Sequence, residues 1–422
     1  MVSPKRVTEI TNMAILERVG IAFRKMAGTL GLSSESPVKA TANLPQVSGS
    51  VLINPPILPG SILLQRPPIT DHVPSEQIRF NLPDDHPIIR DFPSDLNDTS
   101  RIGDFLVREG LAYGGMAVVL KGYDTEFRHE SGMVALKMTS RKHAQALRIE
   151  GKILEVLSRY NSDNIPRYID SGDLADSKGV FLAQEYIEGP SLLQHITEAG
   201  VLPLDRSLRI LKDVCNALKI AYEAKDRKGN ELKFIHRDLK PSNIILRNNG
   251  QAVVIDWGLS RPRPGSIVGT PLYMAPEQML GLDMDHRSDI YAAGVILFLM
   301  LTGKNPFLPQ DLKDRQDLTP QDKFNYIMGL KAQGLPTLGL ITGNDSAQKM
   351  IEYLLSEMTE IEPDQRLGSY DELLDKIDQI LKELSTVRSS AAIQPSGGTT
   401  LIDNAPTMVD QEPPVFIEPP TS

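Results

Sequence analysis

Between Phe234 and Leu246 the chain reads Phe-Ile-His-Arg-Asp-Leu-Lys-Pro-Ser-Asn-Ile-Ile-Leu. Two short apolar runs bracket a polar stretch. Apolar runs of this length read as paired short strands, and the residues between them as a tight loop. That loop carries a carboxylate, Asp238, an amine two residues on, Lys240, and an amide five residues on, Asn243. With 422 residues and 41% apolar side chains, the chain has material for one large two-lobed domain or two smaller ones around such a loop.

The stretch resembles the catalytic loop of protein kinases, H-R-D-L-x-x-x-N, at every fixed position. The resemblance implies that Asp238 orients a substrate hydroxyl and accepts its proton. It further implies that Asn243 offers an amide oxygen to Mg²⁺, and that Lys240 neutralises the transferring phosphate. Lysine at that place is similar to serine/threonine kinases rather than tyrosine kinases. Two apolar-ended glycine segments follow in the order the family requires. Ala252-Val253-Val254-Ile255-Asp256-Trp257-Gly258 resembles a strand ending in D-F-G, with Trp257 for Phe, and implies Asp256 as a second Mg²⁺ ligand. Gly269 to Glu277 closes an activation loop with Ala-Pro-Glu, and its Thr270 is expected to contact Asp238. Ser260, Ser266 and Thr270 are candidate phosphosites, with Arg237, Arg261 and Arg263 near in sequence to pair with a phosphate. Asp289 and Arg366 resemble the family residues that hold the catalytic-loop backbone and pair with Glu277.

Upstream, Arg101 to Asp124 reads as two strands around a glycine-rich turn, Leu111-Ala112-Tyr113-Gly114-Gly115-Met116-Ala117. The family pattern is G-x-G-x-x-G-x-V, in which backbone N–H groups lie over the ATP phosphates. Ala112 and Ala117 stand where two glycines would be, while Gly114 and Val119 match. Val134-Ala135-Leu136-Lys137 resembles V-A-I-K, which implies that Lys137 binds the α- and β-phosphates. Arg141 to Arg159 reads as a helix, and Glu150 is the acid expected to pair with Lys137. Phe181 to Gly189 resembles the last small-lobe strand and hinge, with Gln184 at the gatekeeper place. There the backbones of Glu185 and Ile187 are expected to meet adenine, and Leu111, Val119, Ala135 and Ile245 to sandwich it. Ser207 to Ala224 and Ile290 to Leu301 read as buried helices, and a last helix as Tyr370 to about Leu384.

The fold implied is α+β and bilobal, a small β-rich lobe and a mainly helical large lobe, over residues 98–385. Residues 1–32 read as an amphipathic helix. It can pack on the domain or a partner, lie on a membrane surface, or form on binding. Residues 33–97 carry eleven prolines and read as an extended or disordered linker. Residues 386–422 read as a disordered tail. In it Thr400-Leu401-Ile402-Asp403 and Thr407-Met408-Val409-Asp410 repeat the threonine-to-acid spacing read by FHA phosphothreonine modules.

A net charge of −9 disfavours a nucleic-acid or anionic-membrane role for the whole chain. The single cysteine, Cys215, excludes an internal disulfide and suits a reducing compartment. The longest apolar run, Tyr291 to Leu301, is too short to span a bilayer. A cytoplasmic serine/threonine kinase using ATP and Mg²⁺ on protein substrates is therefore the expectation. A nucleotide-binding pseudokinase scaffold and a small-molecule kinase are the rivals. The intact Lys137, Glu150, Asp238, Asn243 and Asp256 set speaks against the first, and Lys240 with the Ala-Pro-Glu segment speaks against the second.

Overall fold

The computed structural model describes residues 101–113, 117–129, 131–174, 179–259, 269–308 and 319–391. The expectations for residues 1–32, 33–97 and the tail motifs lie outside them.

Six strands form one sheet: β1 (Arg101–Ile102), β2 (Phe105–Tyr113), β3 (Val118–Asp124), β4 (Met133–Ser140), β5 (Tyr168–Asp173) and β6 (Gly179–Glu185). Their order is β1-β2-β3-β4-β6-β5, antiparallel at every pairing. Period-two alternation assigns the faces. Phe105, Val107, Leu120, Val134, Leu136 and Phe181 make a small-lobe core on one face, with the Phe105 and Phe181 rings edge to face at 5.9 Å. On the other face the register aligns Val119 with Lys137 and Leu182, and Lys121 with Ala135 and Gln184. Helix α1 (Ala144–Leu157) covers this second face, its Ile153, Leu154 and Leu157 sharing a core with Leu182. A Cβ on Gly151 would stand 3.4 Å from the Leu182 Cδ1, so the helix lies close against the sheet.

The large lobe holds α2 (Leu192–Ala199), α3 (Leu204–Glu223), strands β7 (Ile244–Leu246) and β8 (Ala252–Val254), then α4 (Pro276–Met279), α5 (Arg287–Thr302), α6 (Pro320–Lys331), α7 (Asp345–Met358) and α8 (Tyr370–Ala391). In α5 every residue from Ser288 to Leu301 is buried, which is why it is apolar all round. Among the described residues no helix is long and apolar enough to cross a membrane. Gly294 lets α7 approach α5: a Cβ there would meet Thr359 Cγ2 at 2.7 Å and Met358 Cβ at 2.9 Å. Cys215 is buried in α3, and burial pushes its thiol well above the usual range.

One expectation is corrected. Phe234-Ile235 and Ile244–Leu246 do not pair with each other; β7 pairs with β8, Ile244 opposite Val254. Phe234 and Ile235 are instead buried, and the Asp289 carboxylate takes the backbone N–H groups that follow them. A side chain thus replaces a strand partner. The helix expected from Arg141 begins at Ala144, and the last helix runs beyond Leu384 to Ala391.

Candidate active site

Lys137 points from β4 into the space under α1. Its Nζ donates to Glu150 Oε2 at 2.8 Å and Oε1 at 3.0 Å, and to Asp256 Oδ1 at 2.8 Å. Burial alone would pull the lysine down, but the Asp256 and Glu150 carboxylates together hold it above its ordinary value. The same ammonium, against the effect of burial, holds Asp256 down at about 2. Glu150 is raised to about 7 by burial, with Lys137 opposing and Asp256 adding to the rise. Asp256 has a left-handed backbone, φ 67°, which turns it out of β8 toward the lysine. A Cβ on Gly258 would lie 2.9 Å from Glu150 Oε2, so any side chain there would push on the carboxylate that Lys137 holds.

The second group of residues gathers on Asp238. Thr270 Oγ1 donates to Asp238 Oδ1 at 2.9 Å, and Lys240 Nζ donates to Oδ2 at 2.6 Å. Asn243 Nδ2 donates to the Asp238 carbonyl at 2.9 Å. The Asn243 carbonyl in turn accepts the N–H of Ile255 at 2.9 Å, which ties the loop to the residue before Asp256. Below, Asp289 accepts from His236 N at 2.6 Å and Arg237 N at 2.9 Å. Trp257 is fully buried; its indole N–H donates to the Val254 carbonyl at 3.1 Å, and its ring meets His236 edge-on at 4.9 Å. The larger ring is therefore accommodated without leaving its donor unpaired.

Of the residues expected around adenine, Ala135 lies on the Lys137 face of the sheet, opposite Gln184. Val119 shares that face, Leu111 is exposed on β2, and Ile187 is buried just beyond β6. Ile245 lies on β7 and bridges to Ser191. The Glu185 N–H donates to the Arg167 carbonyl at 2.8 Å and its carboxylate pairs with Arg247 at 2.6 Å, so the carbonyl is the group it can offer a base. Ala112 and Tyr113 end β2 and Ala117 precedes β3, whereas Gly114, Gly115 and Met116 lie outside the described residues. So do Ser260, Arg261, Arg263 and Ser266.

The donor set suits a hard divalent cation. Asp256 is an ionised carboxylate, and Asn243, whose amide nitrogen bonds the Asp238 carbonyl, has an amide oxygen to give.

Sequence reasoning passed over several residues that support the site. Asn164 Nδ2 and Asp213 Oδ2 bond the two backbone groups of Ala252 at 2.8 and 2.9 Å, fixing the strand before Asp256. Lys331, buried in α6, donates to the Leu272 carbonyl at 3.2 Å with its ammonium 4.0 Å above the Phe307 ring. Gln278 donates to the Arg237 carbonyl at 2.6 Å. These bonds join stretches far apart in sequence, so no local pattern announces them. The one available signal was the position of Gln278, directly after Ala-Pro-Glu.

Two lobes, a lysine–glutamate–aspartate cluster beneath the sheet and an aspartate held by lysine and threonine define a protein kinase. A family model described as protein kinase domain matches residues 105–382, about two thirds of the chain, and the chain belongs to that family. It is 32% identical over 221 residues to the serine/threonine-protein kinase PksC of Streptomyces coelicolor, covering 49% of this chain and 38% of that protein. It is 31% identical over 216 residues to PknL of Mycobacterium tuberculosis, covering 48% and 50%, and 34% identical over 212 residues to pkn3 of Myxococcus xanthus, covering 47% and 37%. The match thus spans half or less of each relative's length.

Proposed function

We propose that the protein is a serine/threonine protein kinase that moves the γ-phosphoryl group of ATP to hydroxyls of proteins in an Mg²⁺-dependent reaction. The observation that carries this reading is the hold on Asp238: Thr270 on one carboxylate oxygen and Lys240 on the other, with Asn243 linking the Asp238 carbonyl to Ile255, the residue before Asp256. Asp238 accepts the proton of the substrate hydroxyl as its oxygen bonds to phosphorus and the bond to the β-phosphate oxygen breaks. Lys240 places its cation beside the same carboxylate, where it offsets charge on the moving phosphoryl group. Thr270 fixes the direction of the carboxylate and forms one side of the hydroxyl's seat. Lys137, oriented by Glu150, binds the α- and β-phosphates. Val119, Ala135, Leu111 and Ile245 supply apolar walls for adenine, with backbone groups of Glu185 and Ile187 at its edge and the 112–117 turn over the phosphates. Asn243 and Asp256 would hold Mg²⁺, which when bound neutralises phosphate charge.

The same reading extends to autophosphorylation in a signalling role in the cytoplasm. Thr400 or Thr407 would be marked and then bound by an FHA-type reader, and any peripheral membrane contact would fall to the N-terminal segment. Incubating the full chain with γ-labelled ATP, Mg²⁺ and a basic protein tests the activity. Asp238→Asn should lower transfer by about 10²–10⁴-fold, the usual range for loss of a general base. Transfer by wild type to neither itself nor the protein would leave a scaffold or a small-molecule enzyme. Mass spectrometry of the labelled chain with both threonines unmodified would remove the tail proposal.

A further inference from the structure

Resting on the kinase reading, we propose that Gln278 is a positioning residue that couples the 269–278 stretch to the catalytic loop by holding the Arg237 carbonyl. Arg237 has φ 69°, a left-handed conformation that is strained for a non-glycine residue. Such a residue keeps its shape only when its neighbours fix it. Asp289 does so on the N-terminal side, accepting the Arg237 N–H at 2.9 Å. On the C-terminal side the holder is Gln278, whose Nε2 donates to the Arg237 carbonyl at 2.6 Å.

That carbonyl belongs to the peptide plane joining Arg237 to Asp238. A rotation of the plane swings the Asp238 Cα, and with it the carboxylate that meets Thr270 and Lys240. Gln278 is 3% exposed and sits in the first turn of α4, next to Glu277, which Arg366 anchors at 2.8 Å. The other end of the segment closes round the same bond. A Cβ on Gly269 would stand 2.8 Å from the Arg237 carbonyl oxygen and 3.0 Å from Gln278 Nε2. Three stretches, at Arg237, Gly269 and Gln278, meet on one acceptor. Its chemistry is one-sided: a carbonyl needs a donor, which an ionised carboxylate in the same place cannot be.

Gln278→Glu and Gln278→Leu in the full chain test this. The charged and titratable groups lining the crevice are Arg237, Asp238, Tyr273 and Asp289. Gln278→Leu should lower kcat about 10- to 100-fold with KM for ATP changed less than about twofold, as expected for a misplaced catalytic group. Gln278→Glu should show a similar deficit near pH 8 and recover toward wild type near pH 6, as the carboxyl takes a proton and becomes a donor. Hydrogen exchange in residues 236–240 should rise in Gln278→Leu. The proposal is overturned by a kcat within about twofold of wild type in Gln278→Leu, by a Gln278→Glu to wild-type activity ratio that does not vary with pH, or by unchanged exchange at 236–240. If Gln278→Leu does not fold, the near-isosteric Gln278→Glu decides through its pH ratio. If wild type transfers no phosphate, the kinase reading falls, and the exchange measurement still decides whether Gln278 holds the loop.

Discussion

Two buried ion pairs in this molecule have similar geometry and opposite character. Arg366 grips Glu277 at 2.8 and 3.1 Å, donates to the carbonyls of Glu360 and Arg287, and Ser288 donates to the same carboxylate at 2.6 Å. One cation meets one anion, both are 4% exposed or less, and the surrounding groups complete their hydrogen bonds. Lys137 and Glu150 are also 2.8 Å apart, but Asp256 makes a third member and the lysine side chain is 20% exposed. Two carboxylates share one buried ammonium there: burial raises Glu150, the carboxylates hold Lys137 up against burial, and Lys137 holds Asp256 down. The first arrangement is complete as protein. The second has one more carboxylate than its ammonium can match, a feature of binding sites more than of finished packing.

If that contrast is right, cutting each pair should damage a different property. Arg366→Met leaves Glu277 buried and unpaired, and should cost about 3–5 kcal/mol of stability in denaturant unfolding. A loss below about 1 kcal/mol would mean that the pair is not structural. Lys137→Met should leave the unfolding midpoint close to wild type while lowering phosphate transfer by about 10²–10³-fold, the range for removing one preorganised charge from a transition state. Equal damage to folding from both variants would erase the distinction.

Glu150 gives a finer cut. Its folded value of about 7 lies above the ordinary 4.5, so the folded state holds the proton more tightly than the unfolded one. Stability from this group is present at low pH and declines as pH rises from about 4.5 to about 7. Glu150→Gln should therefore melt no lower than wild type at pH 8. It should also lose the inflection near 7 in the pH dependence of nucleotide affinity, which titration calorimetry reads. An inflection that survives in Glu150→Gln belongs to another group.

The smallest effect concerns a third kind of buried charge. Lys331 is 1% exposed among Tyr291 and Phe307, and burial lowers its pKa well below the ordinary lysine value, against the pull of Glu277. Lys331→Met keeps the volume and removes a costly cation, so stability should change by less than about 1.5 kcal/mol. The lost bond to Leu272 should raise KM for a peptide substrate while leaving KM for ATP alone.

The sequence made the order of elements readable because kinase chemistry is carried by short motifs that are local in the chain. The residues named from it stand together in two groups, Lys137 with Glu150 and Asp256, and Asp238 with Lys240, Asn243 and Thr270. The partner of β7 was misread because a run of three apolar residues has no intrinsic preference between Phe234-Ile235 and Ala252–Val254. Burial and the Asp289 carboxylate decided it, and both are tertiary facts. Lys331, Asn164 and Asp213 were invisible for the same reason, and Gln278 offered only its place after Ala-Pro-Glu. Each reaches a backbone group from a distant stretch, and a glutamine or lysine carries no mark of that use.

The central claim is that these two groups serve one nucleotide in one cleft. It is tested most directly by measuring ATP binding and labelled phosphate transfer side by side in wild type and Asp238→Asn. The expected result is dissociation constants within about threefold of each other and transfer about 10²–10⁴-fold lower in Asp238→Asn, because Asp238 acts on the hydroxyl and not on the nucleotide. Undiminished transfer by Asp238→Asn, or ATP binding lost together with transfer, would contradict it.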